Sequence, residues 1–217
     1  MTVTTKRILV SAGILALAAL ATGAWAYLYL PGKNWGVVEP GRIYRSGLMQ
    51  PWQVKRVLKD NNIRVIITMN GRDIEDPKQR AQEEAAAELG IEILRFPMGG
   101  DGREADGTMA LHAKAVAAIC KARQEGKPVL VQCAAGANRA GGVVATYELL
   151  VQRRDPSDVL AEMRKHKYSP ERNPKLLEYL NHNMKEAAPE LVAIGVIKEV
   201  PPVTTIGASA QGPVDGK

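Results

Sequence analysis

Alternating blocks of apolar and polar residues divide the chain into short strands and helices. An uncharged run from Ile8 to Leu30 comes first, closed by Pro31-Gly32-Lys33. Arg42 to Arg45 reads as a first strand. Apolar positions at Trp52, Val54, Val57 and Leu58 follow helical spacing over Pro51 to Lys59, and Asp60-Asn61-Asn62 ends that helix. The β-branched stretch Ile63 to Met69 predicts a buried strand. Pro77 to Leu89 predicts a helix stopped by Gly90, and Ile91 to Phe96 a further strand. A glycine-rich loop, Pro97 to Gly107, leads to a helix over Thr108 to Gln124, and a strand begins at Val129. Helical spacing resumes from Ala140 to Arg153, then over Val159 to Lys165 and from Pro174 to about Lys185. Strands alternating with helices on so short a repeat imply an α/β, three-layer sandwich with a largely parallel central sheet. Ligands then belong at the carboxyl ends of the strands.

Domain boundaries follow from the same pattern. Residues 1–7 form a short basic N-terminus ending in Lys6-Arg7, and 8–30 a transmembrane anchor or a signal peptide. Residues 31–40 form a linker, 41–187 one folded domain, and 188–217 an extension whose Gly, Ser, Thr and Pro beyond Pro201 predict a disordered tail. The 23 residues from Ile8 to Leu30 suffice for a bilayer, which needs about 20. The basic pair belongs on the cytoplasmic side, leaving the domain on the extracytoplasmic, periplasmic side. Trp25, Tyr27 and Tyr29 then cluster at the far interface. A cleaved signal peptide is the alternative, since Ala24-Trp25-Ala26 fits the small-x-small pattern, and it implies a secreted or periplasmic protein.

A net charge of +6 favours acidic partners, but the basic residues are spread without a long block, so nucleic acid is not an expected partner. Cys120 sits in the apolar stretch Ala113 to Ala122 and reads as a buried, inert thiol. His112, His166 and His182 read as surface or capping residues, and no metal-ligand spacing joins them. Neither a metal nor another cofactor is implied. Arg45 and Arg72 follow predicted strands and could line a pocket, although solvated positions are the simpler expectation for both.

The chemistry concentrates after the strand at Val129. Val129-Leu130-Val131-Gln132 breaks at Cys133, passes through Ala134, Ala135, Gly136, Ala137 and Asn138 to Arg139, and enters a helix at Ala140. In such a strand-loop-helix unit successive backbone N–H groups converge at a helix mouth, which favours an oxyanion. Amide dipoles and the guanidinium of Arg139 also favour the thiolate of Cys133, making it a nucleophile.

Cys133 and Arg139, separated by five residues with Gly136 in the middle, resemble the signature of the cysteine-dependent protein tyrosine and dual-specificity phosphatases. Ile43-Tyr44-Arg45-Ser46, followed by a helix and by Ile63-Arg64-Val65-Ile66-Ile67, is similar to the opening segment of small, atypical bacterial-type members. Met163-Arg164-Lys165-His166 through Asn173-Pro174 resembles the last helical section of that fold. The resemblance implies in-line attack of Cys133 on a phosphomonoester. Arg139 and the loop amides hold the equatorial oxygens, and a general acid protonates the leaving group. That acid is expected as an aspartate on a mobile loop about thirty residues upstream. Asp101 stands 32 positions before Cys133 and is favoured, with Asp106 the rival. The resemblance also suggests that Asn173 bonds the pocket wall.

Two positions depart from the family. Gln132 replaces a histidine that assists the thiolate, and Ala140 replaces a hydroxyl that assists breakdown of the cysteinyl-phosphate intermediate. A slow phosphatase is therefore expected, with a phosphate-binding pseudophosphatase and a rhodanese-like sulfurtransferase as alternatives. The uncharged loop speaks against polyphosphoinositides. Expected partners are phosphorylated proteins or lipid phosphates, the latter accessible from a membrane tether. Asn138 also occurs in relatives acting on RNA 5′-triphosphates, a substrate the absence of a basic stripe disfavours.

Overall fold

The computed structural model describes residues 3–29, 31–202 and 205–207, and in the first helix the side chains of 11–24. The chain divides into two compact units, Met1–Pro31 and Gly32–Lys217.

The first unit is helix α1, Val3–Tyr29. Its described side chains include Ile14, Leu15, Leu17 and Leu20, all exposed. Among the described residues, no helix is long and apolar enough to cross a membrane. The ends of the expected 8–30 span, with Trp25, Tyr27 and Tyr29, lie outside the described side chains.

The second unit carries a five-stranded sheet in the order β1-β2-β5-β3-β4. Its strands are β1 Gly36–Glu39, β2 Ile43–Ser46, β3 Val65–Thr68, β4 Glu92–Arg95 and β5 Val129–Gln132. Strands β2, β5, β3 and β4 run parallel and β1 pairs antiparallel with β2. The stretch 31–40, expected as a linker, therefore contributes an edge strand. Val37 and Val38 favour extended backbone, but four residues are too few to show alternation.

Side-chain alternation along the parallel strands builds two cores. Ile43, Val65, Ile67, Val129 and Val131 face one side, against α4 (Ala110–Gln124), α5 (Asn138–Leu150), α6 (Pro156–Lys165) and α7 (Pro174–Ala193). Tyr44, Ile66 and Leu130 face the other, against α2 (Pro51–Asp60) and α3 (Pro77–Leu89). A fully buried aliphatic side chain contributes about 1.5–3 kcal/mol, which is why β-branched runs mark the sheet centre. Local signals set the helix ends. The Asp76 carboxylate accepts from the Lys78 N–H at 2.9 Å to start α3, and Gly90 ends it at φ 65°.

Three boundaries move. Helix α4 starts at Ala110 and α5 at Asn138, two residues from their expected starts. Helix α7 runs to Ala193, past the 187 boundary, because Ala187, Ala188 and Leu191 continue its buried face. Ile206 is also buried, its N–H bonded to Asn181 Oδ1 at 2.8 Å. Part of the tail expected to be disordered is thus packed, and residues 208–217 lie outside the described ones.

The register positions the site. Ser46, Gln132 and Thr68 are direct partners across β2, β5 and β3, and Arg95 completes the row on β4. All four parallel strands end at one level, and Cys133 is the first residue beyond it.

Candidate active site

Cys133 is buried at the base of the loop between β5 and α5. Its Sγ accepts the N–H of Gly136 at 3.1 Å. That turn requires Gly136 at φ 72°, where it lies against the backbone of Ser46 and Gly47. The loop is pinned from several directions. Asn34 Nδ2 donates to Ala135 O at 2.8 Å, Leu48 N to Ala134 O at 3.2 Å and Arg45 Nη2 to Gly136 O at 2.9 Å. Carbonyls tied outward in this way set the peptide planes of the loop. Ala134 is exposed, while Ala135, Asn138 and Arg139 are half-buried and Ala137 is buried. Arg139 Nη1 donates to the carbonyl of Met69, just past β3, at 3.1 Å. A guanidinium carries five donors, so this anchor fixes it and still leaves donors for a phosphate.

The loop that carries Asp101 reaches the same place. Gly102 is packed between Leu176 and the backbone of Asn138. Asn173 Nδ2 donates to Asp101 O at 2.7 Å, so Asn173 holds the Asp101 loop. Both carboxylate oxygens of Asp101 are taken by Arg103, Oδ1 by its N–H at 3.1 Å and Oδ2 by its Nε at 2.7 Å. Partial burial opposes ionisation of Asp101, but these bonds and the Arg103 charge outweigh it and hold the carboxyl below its usual range. Asp106 accepts from the N–H and hydroxyl of Thr108, and those bonds likewise lower it. It closes a turn into α4. Of the two aspartates, Asp101 is the one whose loop lies against the start of α5.

A buried cysteine whose sulfur meets an inward amide, an arginine anchored at the neighbouring strand end and the loop of Asp101 beside the start of α5 thus lie at one end of the sheet. Residues 46–153 match the family model described as "Polymorphic toxin system, DSP-PTPase phosphatase". The chain belongs to the cysteine-dependent dual-specificity phosphatases. No curated protein sequence matches the phosphatase significantly. Solved structures that resemble it include P. aeruginosa TpbA, at 20% identity and TM-score 0.57 over 74% of this chain and 91% of that one. PTPMT1 resembles it at 24% identity and TM-score 0.56, over 73% and 99% of the two chains. The PP-IP phosphatase SIW14 from S. cerevisiae does so at 17% identity and TM-score 0.55, over 74% and 94%. At such identities these likenesses establish the fold.

Several residues of the phosphatase lie where the sequence did not put them. Arg45, expected in solvent, is 1% exposed. Strand β1 pairs along β2 with Gly36 opposite Arg45, and the guanidinium lies beside Gly141 of α5. Desolvation lowers the Arg45 pKa, opposed by the charges of Glu148, Cys133 and Glu162. Glu148 is itself buried and paired with Arg154 Nη1 at 2.5 Å. His166, expected at the surface, is also buried, its Nε2 2.9 Å from Glu162 Oε1. Burial and then the Arg45 charge hold it below the ordinary histidine value. His112, likewise expected at the surface or as a cap, is fully buried, with Nδ1 2.8 Å from Glu104 Oε1.

Glu104 itself was not singled out in the sequence. Its carboxylate accepts the N–H groups of Leu111 and His112, both at 2.9 Å, and so caps α4 from the acid loop. A glutamate seven residues before the helix interior matches no capping box, so only the fold reveals it. Arg72 is exposed and paired with Glu83, and His182 is exposed. Cys120 is a free, buried thiol pushed up to about 11 by desolvation, in keeping with an inert role. Among the described residues no cluster of His, Cys, Asp and Glu could hold a metal.

The two departures can be placed. Gln132 is fully buried and its Nε2 donates to Gly47 O at 3.1 Å and Ser46 Oγ at 3.4 Å. It braces the segment against which Gly136 turns. Ala140 is fully buried in the first turn of α5 and brings no hydroxyl.

Proposed function

We propose that this phosphatase hydrolyses phosphomonoesters through a cysteinyl-phosphate intermediate on Cys133, with breakdown of that intermediate as the slow step. The observation that carries the reading is the Gly136 N–H directed at Cys133 Sγ in a loop whose carbonyls are tied outward. The sulfur attacks phosphorus in line with the leaving oxygen. The loop amides and Arg139 take up the charge on the equatorial oxygens, and Asp101 provides the proton once released from Arg103. Water then cleaves the S–P bond. With alanine at position 140, no side-chain hydroxyl there can assist the departing thiolate, and loss of one such donor costs on the order of a hundredfold in rate.

The uncharged loop residues and the apolar N-terminal run support phosphoproteins or lipid phosphates near a bilayer as substrates, with the domain on the periplasmic side. Rapid quench with an aryl phosphate tests the mechanism. Phosphate should accumulate on wild-type Cys133 and be absent in Cys133→Ser. Tight phosphate binding without any bond to sulfur would instead mark a pseudophosphatase.

A further inference from the structure

The acid of this site is latched by its own loop. A general acid must carry a proton when the leaving oxygen departs, yet the Arg103 guanidinium holds Oδ2 of Asp101 while the Arg103 backbone N–H holds Oδ1. The Arg103 side chain is 41% exposed and lines an open cavity of about 780 Å³ between its loop and α7. Lys175 and His182 of α7 line the same cavity, together with the carboxylate of Glu178. Gly102, the neighbour of Arg103, lies near the end of the phosphate loop: a β-carbon placed on it would stand 3.3 Å from Asn138 C. An anion entering this cavity meets Arg103 and Lys175, and competes with Asp101 for the same guanidinium.

We propose that the cavity beside Arg103 receives a second anionic group of the substrate. Drawing the Arg103 guanidinium off Oδ2 of Asp101, that group frees this oxygen to be protonated by solvent. The phosphatase is then most effective on phosphomonoesters bearing a further carboxylate or phosphate. The inference rests on the cysteinyl-phosphate reading above and adds selection of substrate to it. In the step concerned, the S–P bond forms as the P–O bond breaks. The electron pair stays on the leaving oxygen, which takes the proton from Asp101.

The Asp101–Arg103 pair is partly solvated, and such pairs are typically worth a few-fold in an equilibrium rather than orders of magnitude. Steady-state kcat/KM on the full chain tests the proposal with matched substrates. N-acetyl-phosphotyrosine amide is compared with the same compound extended by two glutamates, and phenyl phosphate with 1,3-phenylene bisphosphate. The first pair reads a carboxylate as the second anion and the second pair a phosphate. In at least one pair the more anionic member should be preferred about three- to fivefold, the preference shrinking as salt rises. Arg103→Gln should raise the rate on the less anionic member and narrow the preference, and Lys175→Ala should narrow it as well. Equal kcat/KM within both pairs overturns the proposal while leaving the phosphatase reading intact, as does a preference that survives Arg103→Gln. Absence of cysteinyl-phosphate with every substrate would remove both.

Discussion

Replacing Gly136 by alanine tests whether the loop's shape, rather than its composition, makes the site. The residue has φ 72°, where an L-residue other than glycine costs roughly 1–2 kcal/mol. A β-carbon would also stand 2.4 Å from Gly47 N, 2.5 Å from Ser46 C and 2.9 Å from Ser46 O. These are backbone atoms with little room to give. Gly47 N is bonded to Lys33 O at 2.6 Å, and Ser46 O accepts from Cys133 N at 3.4 Å. Relieving the overlap costs about a further 1–3 kcal/mol. The sum of about 2–5 kcal/mol corresponds to a drop of roughly 4–20 °C in Tm for a domain of this size. Gly90→Ala is the control, because Gly90 has nearly the same φ of 65° but nothing within 4 Å of the added carbon. It should show the conformational cost alone. Thermal melts of the three proteins, with tungstate titration as the reading of the loop, separate the two contributions. Gly136→Ala and Gly90→Ala melting together, with tungstate affinity intact in both, would refute the close approach of the loop to Ser46-Gly47.

Other expectations follow from single contacts. Arg45→Met releases the Gly136 carbonyl, and since a hydrogen bond from a charged donor is worth about 1.5–3 kcal/mol, tungstate affinity should fall at least about tenfold. A change under twofold would show that the loop holds itself. Ala140→Ser should speed decay of the phosphoenzyme by up to a hundredfold in single-turnover experiments, and unchanged decay would move the slow step elsewhere. Burial opposes ionisation of Glu104, but its bonds from His112 and the Leu111 and His112 N–H groups prevail and lower its pKa. Its folded-state value lies below the unfolded one, so its contribution to stability is present above the ordinary carboxylate range and lost as pH falls through the lowered value. The difference in urea midpoint between wild type and Glu104→Gln should therefore be full at pH 7 and shrink on acidification below about pH 4. A difference independent of pH would assign Glu104 a packing role only.

Local chemistry made much of the phosphatase legible in one dimension. β-branched runs bounded by turn residues located β3 and β5, and Gly90 marked the end of α3, because these signals act within a few residues. Cys133, Gly136 and Arg139 were readable for the same reason: a loop that closes between a strand and the helix after it must carry its chemistry in a short interval. Asp101 was singled out only by its spacing from Cys133 and by family resemblance. Its pairing with Arg103 was not foreseen, although the two lie only two residues apart, because side-chain orientation in an irregular loop depends on what packs beneath it.

What tertiary structure alone decided concerns burial and pairing across the sheet. The pattern around Arg45 is the same whether its strand is an edge or an interior one. Strand β1, too short to declare itself, made it interior, and Gly136 and Gly141 received the guanidinium. Glu104 and His112 became a buried pair only because the acid loop folds back over the start of α4. Ser46, Thr68, Gln132 and Arg95 come from four separate segments of sequence, and only the register of the sheet brings them to one level. Sequence thus determined which residues could do the chemistry, through local conformation and spacing. The fold determined which charges lose their water and which partner each then meets, because desolvation depends on neighbours distant along the chain.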